Sequence, residues 1–143
     1  HFEKSRDYFK SISFNPDLVG SIRSKQMPGQ SFLSASGFKT EEVNLAGFSS
    51  YEEAYHKLMM EIVTRQKIST DWVLKGTSVK KIFVDGGFSK NPLFMYLLAE
   101  QFPGYEIYGA MVAQASALGA GLAIHSHWNK NSIANNLINL RRF

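Results

Sequence analysis

The chain of 143 residues has no cysteine. That excludes a disulfide framework, thiolate metal sites and cysteine nucleophiles. Long hydrophobic runs are also missing. The longest apolar stretches, Leu93–Ala99 and Ala117–Ile124, are far too short to span a bilayer. Charge of one sign is scarce: 16 Lys+Arg against 12 Asp+Glu leaves +4. The surplus is scattered, and no basic stripe interleaved with aromatics occurs, so neither nucleic acid nor membrane is expected as a partner. Lys80–Lys81 and Arg141–Arg142 are read as solvated charges flanking a strand and ending a helix. No Walker A loop, HExxH pair or nucleophile elbow is found, and no internal repeat. The chain begins at His1 without a signal-peptide pattern. The expectation is a piece of a longer, cytoplasmic protein.

What is present is ordinary globular composition, 44% hydrophobic with eleven Phe and six Tyr. Residues 1–48 are rich in Ser and turn signals. Asn15-Pro16-Asp17 and Met27-Pro28-Gly29 combine a preset φ with residues that accept turn geometry. This segment reads as irregular and peripheral, with a short helix near Lys4–Lys10. Residues 49–143 read as regular structure. Ser50 followed by Glu53 forms a capping box, and Tyr55, Leu58, Met59, Ile62 and Val63 recur at helical spacing. The predicted helix runs to about Leu74, with Gly76 as its stop. Lys80–Val84 is predicted as a buried strand. Asn91-Pro92 supplies an N-cap and a first-turn proline for a helix over 93–102, ended by Pro103-Gly104. Tyr105–Tyr108 is a second strand, Ala113 to about His125 a helix, and Asn131–Arg142 a weaker amphipathic helix. The order predicts an α/β fold, helix-rich with a small parallel sheet. Two strands make too little sheet to stand alone, so Ile82–Val84 and Tyr105–Tyr108 are expected to expose unpaired edges.

Two motifs carry chemistry. Asp85-Gly86-Gly87-Phe88-Ser89-Lys90-Asn91-Pro92 places two glycines at a strand's C-terminal end, leading into a capped helix. Such a turn lets a ligand approach backbone closely, at the edge where open α/β sheets bind ligands. It could equally be a tight connection that binds nothing. Gln114-Ala115-Ser116-Ala117-Leu118-Gly119-Ala120-Gly121 is a helix of small residues. Gly119 and Gly121 each cost about 1 kcal/mol against Ala there, and close packing on a neighbour would offset that.

Together, in order and spacing, these words resemble the C-terminal nucleotide-binding region of FGGY carbohydrate kinases, within the sugar kinase, Hsp70 and actin superfamily. The resemblance covers about residues 50–125. It implies a partial ribonuclease-H-like (actin-like ATPase) domain of an enzyme that transfers the γ-phosphoryl of ATP to a sugar hydroxyl. Gly86 and Gly87 would pack against the adenosine and α-phosphate, Asn91 would face the adenine, and Phe88 would flank the base or pack away from it. ATP and Mg2+ are the implied cofactors. The sugar and the metal would be bound mainly by parts of the enzyme absent here, and a homodimer stays open. Phe88 departs from the family's usual small residue, and Gln114 from its usual Glu. The Asp-x-Gly-Thr phosphate loop and the Asp general base have no counterpart in the chain, so the fragment alone is expected to be inactive, with no catalytic residue of its own. The rival is a non-enzymatic ATP-responsive module of the actin or Hsp70 type, or an interaction domain.

Other residues receive plainer readings. Thr77-Ser78 is a loop. His125 and His127 do not share a helical face and are not taken as metal ligands. His56 is expected at the surface or boundary, Trp72 and Trp128 in packing, and Glu52 and Glu53 at a helix start.

Overall fold

A computed structural model describes residues 1–25, 31–34, 37–38, 43–111, 115–133, 137 and 139–143. The segment expected to be irregular contains a helix. Asn15 accepts from the Leu18 N–H, Pro16 takes the first turn, and α1 runs Pro16–Ser24. Asn-Pro here is a helix start rather than a turn. Val19 and Ile22 then fall on one face and are buried. The predicted helix near Lys4–Lys10 is a single 3-10 turn, Tyr8–Ser11. Leu33–Ser34 (β1) and Gly37–Phe38 (β2) form a short antiparallel ladder.

Helix α2 spans Tyr51–Leu74, with the Ser50 hydroxyl accepting from the Glu53 N–H. The return arm of the capping box goes one residue further back, because the Glu53 carboxylate accepts from the Ser49 N–H and hydroxyl, both at 2.6 Å. Gly76, at φ +78°, follows the helix end in a conformation that favours glycine. Strand β3 (Lys81–Val84) leads through the Gly-Gly turn to α3 (Pro92–Gln101), and then to β4 (Glu106–Ala110). β3 and β4 are parallel, with Lys81 opposite Glu106 and Val84 opposite Gly109. After α4 (Ala115–Ala123) and the single turn α5 (His125–Trp128) comes β5 (Leu140–Arg142).

β5 corrects the predicted helix over 131–142. Leu140–Arg142 adds antiparallel to β4, so the sheet is mixed, ordered β3-β4-β5, rather than parallel. Arg141 and Arg142 therefore lie in a strand. β4 is paired on both sides, and the free edges belong to β3 and β5 rather than to Tyr105–Tyr108.

The core lies around α3. Leu93, Met95, Leu97 and Leu98 are all nearly or wholly buried, as expected of a helix that is apolar on most sides. α3 packs between α2, which contributes Met59 and Val63, and the sheet, which contributes Ile107. Each fully buried side chain of this size contributes about 1.5–3 kcal/mol. α1 adds Val19 to the same cluster. Strand β3, expected to be buried, is half-open. Ile82 and Val84 turn toward the core while Phe83 is 57% exposed and stacks on Tyr108, with ring centroids 5.4 Å apart. Among the described residues no helix is long and apolar enough to cross a membrane.

Candidate functional site

Gly86 has φ +79° and ψ −156°, a backbone state that penalises any side chain. It lets the chain leave β3 and enter the 3-10 turn Gly87–Lys90. Ser89 is buried, and its hydroxyl lies 2.8 Å from both the Gly86 and Ala110 carbonyls. Its single proton is shared between them, fastening the turn to the end of β4. Gly109 makes that approach feasible. A Cβ there would meet the Ser89 carbonyl oxygen at 3.1 Å and the Phe143 ring at 3.2 Å.

Asn91 starts α3. Its Oδ1 accepts from the Phe94 N–H at 3.2 Å, which fixes the amide's orientation. Its Nδ2 donates to the Tyr55 hydroxyl at 2.8 Å and rests on the Met59 sulfur at 3.8 Å. Phe88 stacks on Phe94 with centroids 4.5 Å apart and leaves 43% of its surface exposed.

These groups line one side of a cleft of about 630 Å³, in which Gly87, Phe88, Asn91 and Pro92 meet Tyr55 of α2 and Phe9 of the first 3-10 turn. Lys10 and Lys90 also line it; both are exposed, Lys10 is ion-paired with Asp7 at 2.7 Å, and Lys90 places positive charge beside a largely apolar hollow. The Tyr8 hydroxyl donates to the Glu52 carboxylate and so ties the Phe9 segment to α2. Burial pushes the Tyr55 phenol up from its ordinary value, with the Asn91 hydrogen bond opposing. Tyr55 is therefore a neutral phenol at pH 7. Such a hollow suits a flat, partly apolar ring system bearing negative charge at one end.

Of the predicted site residues, Gly87, Phe88 and Asn91 line the cleft and Gly86 shapes it from outside. Asn91 lines the cleft with its Oδ1 bonded to the Phe94 N–H and one Nδ2 proton bonded to the Tyr55 hydroxyl. The sequence reading missed Tyr55, Phe9, Lys10, Lys90 and Pro92. Helical spacing placed Tyr55 on the core face of α2 but cannot show that its hydroxyl lies at a cleft.

The second motif behaves differently. Gln114 lies outside the described residues. A Cβ at Gly119 or Gly121 would meet nothing within 4 Å, so the expected close packing is not observed. α4 and α5 instead flank a separate groove of about 400 Å³ that includes Leu118, Leu122, Trp128 and Ile133. Trp72 and Trp128, expected in packing, are 78% and 65% exposed. His56, expected near the surface, is 1% exposed. Its Nδ1 donates to the Glu52 carbonyl at 2.8 Å and its Nε2 accepts from the Asn15 N–H at 3.3 Å. Burial pushes its pKa down from the usual histidine value. Thr77 is in a plain loop, donating to the Leu74 carbonyl. No cluster of three His, Asp or Glu able to hold a metal occurs among the described residues.

No family model, no curated protein and no solved structure matches the chain.

Proposed function

We propose that the chain is the C-terminal, ATP-side portion of an FGGY-like carbohydrate kinase, with a partial ribonuclease-H-like domain. The complete enzyme would transfer the γ-phosphoryl of ATP to a sugar hydroxyl in the cytoplasm. One observation carries the reading. Gly87 and Asn91, picked out by resemblance, fall in the same cleft as the aromatic residues Phe9, Tyr55 and Phe88 and the cationic residues Lys10 and Lys90. In this reading the base lies among the aromatic side chains, and the Lys90 ammonium favours the phosphates.

Phosphoryl transfer depends on positioning and charge neutralisation. This chain contributes positioning of the nucleoside. Mg2+ would come with ATP and be held mainly by other parts of the enzyme. When bound, it would neutralise phosphate charge.

Gly87→Val tests the reading. Position 87 has a negative φ and open space beside its Cα, so the variant should keep its fold while its side chain fills the cleft. ATP binding followed by NMR titration should be lost with the unfolding midpoint unchanged. Equal ATP binding by both proteins would overturn the site. Turnover of MgATP with a sugar panel by the purified chain would overturn the placement of the catalytic base outside it.

A further inference from the structure

Two polar side chains border the apolar part of the cleft, and they are not equivalent. Asn91 has its carbonyl oxygen committed to the Phe94 N–H and an amide proton committed to Tyr55. That second bond fixes a direction. The Tyr55 oxygen accepts, so its own single proton must point elsewhere. No acceptor for that proton is found among the described residues. The phenol is thus a donor held in position by Asn91, at a cleft whose other near neighbours, Phe9, Phe88 and Pro92, are flat and apolar.

Resting on the nucleotide reading above, we propose that Tyr55 is the specificity-determining donor of the cleft, hydrogen-bonding a ring nitrogen of a stacked purine, and that Asn91 is a positioning residue that aims it. A purine exposes ring nitrogens as acceptors, whereas the exocyclic amine of adenine is a donor. A committed donor discriminates between those two edges. This moves the reading of the base from Asn91 to a residue on α2.

The test uses the chain with ADP and its 1-deaza, 3-deaza and 7-deaza analogues, followed by NMR titration. Tyr55→Phe keeps the ring and removes the proton, and should weaken ADP about three- to tenfold. One deaza analogue should bind the wild type weaker by a similar factor and be indifferent to Tyr55→Phe. That analogue series on the wild type needs no variant to fold. Asn91→Asp keeps an oxygen for the Phe94 N–H, but its second oxygen would accept the Tyr55 proton and reverse the bond. It should weaken ADP in the wild type and cost less in the Tyr55→Phe background.

No ADP binding by the wild type up to about 5 mM, the weak end of specific affinity, would overturn the nucleotide reading and this proposal with it. ADP binding that Tyr55→Phe leaves unchanged would overturn the proposal alone. An equal loss on all three deaza analogues would overturn the ring-nitrogen contact. Additive effects of the two substitutions would overturn the positioning role of Asn91.

Discussion

Replacing Glu53 by Gln should destabilise the protein by about 3 kcal/mol at pH 7. The side chain is 1% exposed. Burial alone would push its carboxyl up. Lys25 Nζ at 2.6 Å, with the Ser49 hydroxyl and N–H, outweighs that and holds it down at about 2. Relative to an ordinary value of 4.5, that is roughly 2.5 pH units, or about 3 kcal/mol at 1.36 kcal/mol per unit. The carboxamide has the same shape but carries an NH2 that must face one of these donors. Because the folded value is depressed, the stabilisation is fully present above pH 4.5 and is lost as pH falls toward 2. Urea unfolding at pH 7 should show the full gap between wild type and Glu53→Gln, narrowing to about 1.5 kcal/mol at pH 3. A gap that stays constant with pH, or is smaller than about 0.5 kcal/mol at pH 7, would refute the reasoning. Lys25 is half-exposed, so Lys25→Met should account for only part of the loss.

Further expectations concern histidine and glycine. His56 should titrate below the usual histidine range in an NMR pH series, and its contribution to stability, complete above about pH 6.5, should fall as pH drops below that value. A normal titration would refute its burial as a neutral ring. Gly109→Ala should cost about 1–3 kcal/mol in denaturant unfolding, because its methyl group would press on the Ser89 backbone. Gly119→Ala should instead stabilise the chain by up to about 1 kcal/mol, since open space surrounds that position within α4. Loss of stability there would show that something packs against the helix.

From Ser50 to Tyr108 the local signals were readable because each had a local cause. The Ser50 cap, the Asn91-Pro92 start and the apolar Leu93–Leu98 run determine their own elements. Asn15-Pro16 is the same dipeptide as Asn91-Pro92 but reads as a turn, because the apolar face after it is short, chiefly Val19 and Ile22. Leu140–Arg142 reads as helix for another reason. Ile133, Leu137 and Leu140 fit a helical period, while the free edge of β4 that captures the segment is a tertiary feature. The cleft was half-legible. Glycines announce a turn, but nothing local announces that Tyr55 turns its hydroxyl toward Asn91.

The cleft's two sides come from distant parts of the chain. Gly87, Phe88 and Asn91 belong to the unit from β3 to β4, which the Ser89 hydroxyl fastens through the Gly86 and Ala110 carbonyls. Phe9 and Lys10 lie about 80 residues upstream and reach the cleft by way of α2, where the Tyr8 hydroxyl bonds Glu52. The hollow is complete only where the amino-terminal turn is docked on α2. A ligand held between the two sides would therefore bind only the docked arrangement, and would tie the amino-terminal turn to the β3–β4 unit by mass action.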